Sequence, residues 1–243
     1  MAKPCKQILA ISNSAALFVD AWETPYLARY LVGLTNKTHP VICHVGAANG
    51  DSPEKSGRFF ALAQRAGFDA RHLNLFALEE GDPDTFFRGV DAIYLDGGST
   101  RNLRAILKEW SADVALKDAY EQQVVIAGAS AGANILFEWG MTDSIKTKIE
   151  ATPGLGLVRG SLSVHADIRS DRNEALNRHL AGPDAAFPAY SLDEGTALHF
   201  CDNELYRAVS ICSEAKVLRG FGDMRMESYP TATLPGDIAH DTI

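Results

Sequence analysis

The sequence predicts an α/β fold in which a doubly wound, mostly parallel sheet is covered by helices on both faces. Through about the first 130 residues, short apolar runs flanked by turn residues alternate with segments of helical periodicity. The runs are apolar along nearly their whole length, which is typical of parallel strands that are buried on both faces. Folds of this kind place their sites at the carboxyl ends of the strands, so functional residues are expected there.

Five apolar runs are expected to form the parallel strands, at residues 7–12, 40–45, 70–76, 92–95 and 124–127. Two helices between them are predicted from apolar side chains spaced i, i+3, i+4 and i+7, a spacing that places them on one helix face. These side chains are Leu27, Tyr30, Leu31 and Leu34 in the first helix, and Leu103, Ile106, Leu107 and Trp110 in the second. A further helix is expected over residues 131–137.

The pattern becomes less regular after about residue 150. A short helix is expected at residues 171–181, and strands at 161–164, 196–200, 208–212 and 216–219. These strands lack intervening helices long enough for parallel crossovers, so some antiparallel pairing is predicted in the C-terminal part. We expect residues 1–225 to form a single domain and residues 226–243 to form a C-terminal tail that is partly disordered.

The composition excludes several classes of protein. The 243 residues include 23 Lys+Arg against 31 Asp+Glu and no basic run, which argues against nucleic-acid binding. No apolar stretch approaches the ~18 residues of a membrane span, and the N-terminus lacks the apolar region of a signal peptide. The four cysteines (Cys5, Cys43, Cys201 and Cys212) lack the spacing of a zinc site or a disulfide framework. The sequence therefore predicts a reduced, cytoplasmic protein without a metal or cofactor.

The strongest chemical signal is the sequence Gly-Ala-Ser-Ala-Gly at residues 128–132. This G-x-S-x-G motif follows a predicted strand and precedes a predicted helix, the context in which it forms a nucleophile elbow. The elbow would expose the Ser130 hydroxyl at the carboxyl end of a central strand and at the positive end of a helix. An ordinary glycine-rich turn is the alternative, so the serine needs supporting groups elsewhere.

A nucleophilic serine needs a base, an acid that orients the base, and donors for the oxyanion. A second glycine turn, Asp-Gly-Gly-Ser-Thr at residues 96–100, follows the predicted strand at 92–95. In a parallel sheet this turn would lie near Ser130. The N–H of Ala131 and that of Gly97 or Gly98 would then form an oxyanion hole. A phosphate-binding or purely structural loop is the alternative for this turn.

Seven histidines are candidates for the base. His165 is preferred over His199, because it ends a predicted strand and opens a polar loop, which is a rigid position for a base. His199 lies between Leu198 and Phe200, as in a half-exposed strand. The candidate acids are Asp143, Asp167, Asp193 and Glu194, and periodicity does not choose among them.

Five motifs together resemble the peptidase E (aspartyl dipeptidase) family of serine peptidases, of which cyanophycinases are more distant relatives. They are DGGSTRNL at 96–103, GASAGAN at 128–134, FEWGMTDS at 137–144, GLGLVRGSLSVH at 154–165 and DEGTALHF at 193–200. The resemblance spans about residues 5–220. It implies a fold like that of class I glutamine amidotransferases, with a serine at the elbow where those enzymes have a cysteine.

The resemblance also implies roles for the candidate residues. Ser130 matches the family's nucleophile and His165 its general base. Two carboxylates match acids proposed in the family. We favour Glu194 as the group that orients His165, because its turn lies in the same late portion of the chain, with Asp143 as a supporting carboxylate.

The remaining implied residues concern the oxyanion and the substrate. Gly98 and Ala131 fall where the family's oxyanion donors lie. Family members cleave small peptides with an N-terminal aspartyl residue, whose carboxylate is held by an arginine, since a guanidinium can pair both carboxylate oxygens. Arg172 matches that arginine by the residues that follow it, and Arg169 matches it by its distance from His165. Hydrolysis of Asp-X dipeptides is therefore expected, and the family is compatible with a homodimer.

Two departures from the family pattern lie near the expected cleft. His165 is followed by Ala166-Asp167, where the family usually has an aromatic residue, and residues 12–16 replace a glycine run. They put substrate preference in question more than reaction type. Two other hypotheses stay open. One is an esterase or amidase in which His199 is the base for Ser130, and the other is a non-catalytic binding protein with the same fold.

Overall fold

The computed structural model describes residues 5–18, 24–78, 85–144, 148–222 and 225–234. The helices are α1 (Ser14–Phe18), α2 (Tyr26–Leu34), α3 (Pro53–Ala66), α4 (Thr100–Glu109), α5 (Ala112–Glu121), α6 (Ala131–Leu136) and α7 (Ser170–Leu180). The strands are β1 (Gln7–Ile11), β2 (Val41–Val45), β3 (Asp69–Leu73), β4 (Ala92–Leu95), β5 (Val125–Ala129), β6 (Phe137–Thr142), β7 (Glu150–Pro153), β8 (Val158–Val164), β9 (Ala189–Leu192), β10 (Thr196–Cys201), β11 (Glu204–Ser210), β12 (Val217–Gly220), β13 (Met226–Tyr229) and β14 (Thr231–Thr233).

An eight-stranded sheet has the order β14-β11-β10-β1-β5-β4-β2-β3. The five strands from β1 to β3 in this order are parallel, and they are the five strands predicted from the apolar runs. Strand β10 is antiparallel to β1, and β11 is antiparallel to β10. The predicted α/β class, with antiparallel strands added by the C-terminal part, is confirmed.

Side chains of β1 alternate between two cores, one on each face of this sheet. Ile8 and Ala10 pack in a core with side chains of α4, α5 and α6, whereas Leu9 and Ile11 pack in a core with side chains of α1, α2 and α3. All four side chains are completely buried. The period of two along a strand sends successive side chains to opposite faces, so a fully apolar strand is what two covered faces require.

A second, six-stranded sheet has the order β13-β12-β9-β8-β6-β7. Two of its strands, β8 and β12, were predicted at residues 161–164 and 216–219, but a separate sheet was not. Its apolar side chains, such as Leu162, Tyr190 and Val217, join the core on the α4–α6 side of the large sheet. Strand β6 begins at Phe137, immediately after the last residue of α6, so no turn residues separate the helix from the strand. The usual sequence signal of a strand boundary is therefore missing.

The stretch expected to be a C-terminal tail contains two strands among its described residues. Strand β13 is antiparallel to β12 in the six-stranded sheet, and β14 is parallel to β11 in the eight-stranded sheet. Residues 235–243, the rest of that stretch, lie outside the described residues.

Cys5 and Cys201 form a disulfide, so the expectation of a reduced protein without disulfides is wrong for this pair. Their Cα atoms lie 5.6 Å apart although 196 residues separate them in sequence. The antiparallel pairing of β1 with β10 brings them together, because Gln7 lies opposite Cys201 in the register. Cys43 is a buried free thiol and Cys212 an exposed one.

Within the described ranges, no helix has both the length and the apolar character that crossing a membrane requires.

Candidate active site

Ser130 lies in the turn between β5 and α6, where its backbone adopts an uncommon conformation. Its φ is +51° and its ψ is −108°, outside the regions that residues with a side chain usually adopt. A Cβ atom on Gly128 would collide with the carbonyl group of Gly132, and one on Gly132 with the carbonyl group of Leu95. The two glycines of the motif are therefore needed because backbone atoms approach each other too closely for a side chain.

His165 faces this serine, with its Nε2 atom 2.9 Å from Ser130 Oγ. The histidine follows the last residue of β8 and has a φ of +60°, which turns the chain away from the sheet. The turn is held by backbone hydrogen bonds from Ala166 N–H to the Leu192 carbonyl at 2.9 Å and from Arg169 N–H to the His165 carbonyl at 3.1 Å. The imidazole is thus placed by the sheet rather than by a free loop.

Glu194 accepts from the other ring nitrogen, since its Oε1 atom lies 2.9 Å from His165 Nδ1. With the ring proton on Nδ1, the unprotonated Nε2 faces the serine hydroxyl as an acceptor. The turn that carries Glu194 is itself held in place. The Glu194 N–H donates to Asp167 Oδ1 at 2.9 Å, and the Gly195 N–H donates to Asn13 Oδ1 at 3.1 Å. Ser130, His165 and Glu194 therefore form one continuous chain of contacts.

Asp143, the other expected carboxylate, pairs with arginines. Its Oδ2 atom lies 3.1 Å from Arg172 Nη2 and 3.3 Å from Arg169 Nη1. Burial by itself would raise the pKa of the Asp143 carboxyl, but the positive charges of Arg172 and Arg169, together with hydrogen bonds to the carboxylate, lower this pKa. Of the two carboxylates that the sequence brought forward, the structure joins Glu194 to His165 and joins Asp143 to the arginine pair.

The two arginines differ in exposure. Arg172 is only 4% exposed, and its Nη1 atom donates to the Met141 carbonyl at 2.9 Å. Burial lowers the pKa of Arg172. Arg169 is partly exposed, and its guanidinium also contacts Asp171, with Nη2 2.8 Å from Oδ2. Arg169 is therefore the more accessible of the two, and both already have carboxylate partners.

The Gly97–Gly98 turn touches the serine, because a Cβ atom built on Gly97 would lie 3.4 Å from Ser130 Cβ. The N–H of Gly97 donates to Asp96 Oδ1 at 2.7 Å and is therefore engaged. The N–H of Gly98 has no acceptor among the described residues, and the same is true of the N–H of Ala131, the first residue of α6. These two N–H groups are the donors that remain available beside Ser130.

His199 is fully buried on β10, and the structure does not bring it to the serine. Its Nδ1 atom lies 2.8 Å from the Tyr30 hydroxyl and its Nε2 atom 3.0 Å from Gln7 Oε1. Burial lowers the pKa of His199 to about 4. Both ring nitrogens have partners within the core. The alternative in which His199 serves Ser130 is therefore wrong.

Asp96 is a buried carboxylate to which the sequence analysis assigned no role. Its side chain is 0% exposed and accepts from Ser14 Oγ at 2.8 Å, the Tyr94 hydroxyl at 3.1 Å and Asn49 Nδ2 at 2.9 Å. Burial alone would raise its pKa, but the hydrogen bond and charge of His44 help to lower it to about 2. The sequence shows Asp96 only as the residue before two glycines, and nothing in the sequence indicates its partners.

A cavity of about 580 Å³ adjoins Glu194, and its lining includes Asn13, Ala16, Arg58 and Cys212. Its volume lies in the range of ligand pockets in proteins. Across the described part of the chain, no cluster of three or more His, Cys, Asp or Glu side chains could hold a metal ion.

The chain is similar in sequence to known peptidases. The model of peptidase family S51 matches residues 8–207. The uncharacterized peptidase YgaJ of Bacillus subtilis (strain 168) is 34% identical over 230 residues, which cover 95% of this chain and 96% of that protein.

Two solved structures share the fold. One is a peptidase from an acI-B1 Actinobacterium, with a TM-score of 0.70 and 20% identity, covering 94% of this chain and 95% of that one. The other is a putative peptidase E protein from Listeria monocytogenes EGD-e, with a TM-score of 0.60 and 15% identity, covering 89% of this chain and all of that one.

Proposed function

The chain belongs to peptidase family S51 and is a serine peptidase, and on this premise we propose that it hydrolyses dipeptides through an acyl-enzyme on Ser130. The observation that carries the proposal is the pair of 2.9 Å contacts that link Ser130 Oγ to His165 and His165 to Glu194. A nucleophile, a base and an acid that orients the base are the groups that acyl transfer needs.

In the acylation step, His165 Nε2 takes the hydroxyl proton while Ser130 Oγ bonds to the scissile carbonyl carbon. His165 keeps its Nδ1 proton, which it donates in a hydrogen bond to the Glu194 carboxylate, and the negative charge of Glu194 stabilises the imidazolium that forms. The N–H groups of Gly98 and Ala131 donate to the negatively charged oxygen of the tetrahedral intermediate. His165 then gives its proton to the leaving amine as the C–N bond breaks.

Deacylation repeats these steps with water as the nucleophile. His165 Nε2 takes a proton from the water as its oxygen bonds to the acyl carbon, and the ester bond to Ser130 breaks. The proton returns to Ser130 Oγ, which restores the free enzyme. The same base and the same oxyanion donors serve both halves of the reaction.

The substrate that we propose has an aspartyl residue at its N-terminus, and Arg169 holds the aspartyl carboxylate. Arg169 is favoured over Arg172 because Arg172 is 4% exposed and donates to the Met141 carbonyl. A bound aspartyl group would replace Asp143 as the partner of Arg169 Nη1, whose present contact is 3.3 Å long. An exposed pair of this kind is weak, so the exchange costs little.

A serine peptidase without aspartyl selectivity is the second candidate. It is favoured by the ion pairs that Arg169 already makes with both Asp143 and Asp171. In that case these carboxylates neutralise the guanidinium, and selectivity comes from other groups around the cleft.

The reaction class is tested by the variant Ser130→Ala. We expect it to abolish hydrolysis of an Asp-Leu dipeptide while the melting temperature stays within a few degrees of the wild type, because the exchange removes one oxygen atom. The assay labels the released amino acids with an amine-reactive reagent and quantifies them by chromatography. Turnover retained by Ser130→Ala would contradict the proposed mechanism.

The substrate class is tested with a panel of Asp-X, Glu-X and neutral dipeptides and the variant Arg169→Ala. Aspartyl selectivity through Arg169 predicts that kcat/KM for Asp-Leu falls by at least about tenfold, with neutral dipeptides unaffected. Arg178→Ala is the matched control, since Arg178 is an exposed arginine on α7. Equal kcat/KM across the whole panel supports the second candidate instead.

A further inference from the structure

The carbonyl group of Gly97 is held by two side chains from outside the glycine turn. Its oxygen accepts from Asn49 Nδ2 at 3.1 Å and from Lys55 Nζ at 3.2 Å. In a planar trans peptide, the C=O of one residue and the N–H of the next point in opposite directions. Asn49 and Lys55 therefore set the direction of the Gly98 N–H, which points away from both of them.

The rest of the turn is fixed as well. Gly98 has a φ of +151°, and a Cβ atom on it would collide with the carbonyl group of Ala48. The Ser99 N–H donates to that same Ala48 carbonyl at 2.8 Å, and the Gly97 N–H is held by Asp96. The backbone on either side of the Gly97–Gly98 peptide is therefore anchored, and the Gly98 N–H is left for a ligand.

Lys55 also contributes charge at this position. Asp96 is a buried carboxylate next to the turn, and the positive charge of Lys55 is among the causes that lower its pKa. A carboxylate next to the glycine turn would by itself disfavour a second negative charge on an oxygen held by that turn. An ammonium group on the carbonyl side of the peptide offsets that charge and polarises the peptide, which strengthens the N–H as a donor.

We propose that Lys55 and Asn49 are positioning residues that aim the Gly98 N–H at the oxyanion formed on Ser130. The inference rests on the proposed function, because it needs Ser130 to be the nucleophile. Neither side chain touches the reacting atoms. Both act through the Gly97–Gly98 peptide, and Lys55 reaches it from the first turn of α3, far from the elbow in sequence.

The test measures the second-order rate constant for phosphonylation by a small alkyl fluorophosphonate, which does not depend on knowing the natural substrate. In this reaction a bond forms between Ser130 Oγ and phosphorus, the P–F bond breaks, fluoride leaves, and His165 takes the hydroxyl proton. The phosphoryl oxygen gains negative charge in the transition state, so the rate depends on the oxyanion donors.

We expect Lys55→Met to react about tenfold more slowly than the wild type, since losing an entire oxyanion donor costs ~10²–10³ and here the donor is misaligned rather than lost. Lys55→Arg keeps a cation that can donate to the carbonyl, so it should restore most of the rate. Lys117→Met, an exposed lysine on α5, is the matched control with an unchanged rate. Asn49→Ala is the second variant, with a decrease of similar size.

Two further measurements separate positioning from general damage. The pH midpoint of the reaction rate reports His165, so it should be the same in Lys55→Met and the wild type. The melting temperature should also be unchanged, because Lys55 is only half-buried on the surface of α3. For dipeptide hydrolysis, kcat should fall while KM stays constant, because the donor acts on the transition state.

The outcomes distinguish this inference from the proposed function. If both Lys55→Met and Asn49→Ala are phosphonylated at the wild-type rate, the positioning role is overturned, while the assignment of Ser130 as the nucleophile is unaffected. The positioning role is also overturned if Lys55→Met reacts more slowly but has a shifted pH midpoint or a lowered melting temperature. The same holds if Lys55→Arg reacts as slowly as Lys55→Met. A wild-type protein that does not react at Ser130 removes the proposed function, and this inference with it.

Discussion

Glu194 and Asp143 are both acidic residues brought forward by the resemblance to the peptidase E family, but their surroundings differ. Glu194 Oε1 lies 2.9 Å from His165 Nδ1, whereas Asp143 Oδ2 lies 3.1 Å from Arg172 Nη2. A carboxylate that accepts a hydrogen bond from Nδ1–H holds the imidazole in the tautomer that can take a proton from the serine. A carboxylate beside a buried guanidinium neutralises a charge. The two residues therefore call for different experiments.

For Glu194, the informative substitution is Glu194→Gln, which retains the shape of the side chain and removes its charge. We expect kcat to fall by ~10²–10⁴, because the amide neither stabilises the imidazolium nor enforces the tautomer. Steady-state hydrolysis with the best dipeptide of the panel measures this effect. A kcat within about threefold of the wild type would exclude Glu194 as the orienting acid.

Asp143→Asn is the matched comparison, and its expected effect is on stability. It leaves Arg172 with a weaker partner, so the free energy of unfolding should fall by about 1 kcal/mol, a small value because Asp143 is partly exposed. Urea unfolding followed by fluorescence measures this change. A loss of kcat as large as that of Glu194→Gln, without a loss of stability, would contradict the assignment.

At the level of single residues, the sequence predicted those that belong to motifs and missed those that act through the backbone. Ser130 and His165 could be identified because each lies just after a predicted strand and carries a reactive group. Asn49 and Lys55 could not, because their contact with Gly97 arises only when α3 and the turn before it fold against the end of β4.

Among the secondary-structure elements, β10 is joined to its neighbours by a buried polar contact as well as by the sheet. His199 on β10 contacts Tyr30 on α2 and Gln7 on β1, at 2.8 Å and 3.0 Å. The position of His199 between Leu198 and Phe200 predicted a half-exposed strand at residues 196–200. In the structure β10 lies between β1 and β11 and is covered, so the histidine is 0% exposed.

This contact predicts a pH dependence of stability. Burial lowers the pKa of His199 to about 4 in the folded protein, whereas an unfolded histidine has a pKa near 6.5. Between these values the unfolded state binds more protons. Stability is therefore complete above about pH 6.5 and decreases as the pH falls towards 4, by about 3 kcal/mol.

The measurement is the free energy of unfolding at several pH values between 4 and 7 for the wild type and His199→Phe. The variant should be less stable at pH 7, because Tyr30 and Gln7 lose their partner, and its dependence on pH should be smaller. An equal slope in the two proteins would show that His199 does not titrate in the way that its burial implies.

In the molecule as a whole, the parallel half of the fold was predictable and the second sheet was not. Four of the five parallel strands are mostly apolar, whereas the edge strand β3 contains Asp69, Arg71 and His72. Helices or turns separate all five, so local sequence predicts them. Strand β6 follows α6 with no turn residues between them, and the register of β6 and β9 depends on packing against the core next to α4–α6. Information of that kind lies in the tertiary structure rather than in any short segment.

The disulfide between Cys5 and Cys201 connects the start of the chain to the end of β10. It closes a loop of nearly the whole domain, so removing it should lower the free energy of unfolding by about 2–4 kcal/mol. Urea unfolding of Cys5→Ser and of the wild type with and without reductant measures the effect, with Cys212→Ser as the control for an exposed free thiol. Stability that is the same in the wild type and Cys5→Ser would contradict this role.

The most direct test of the central claim is to locate the covalent adduct that a fluorophosphonate forms on the intact protein. Peptide mapping by mass spectrometry should find a single adduct on Ser130, none in Ser130→Ala, and a reaction slower by ~10²–10⁴ in His165→Ala, because the base is missing. An adduct on another residue, or one that forms at the wild-type rate in His165→Ala, would contradict the assignment of Ser130 and His165 as nucleophile and base.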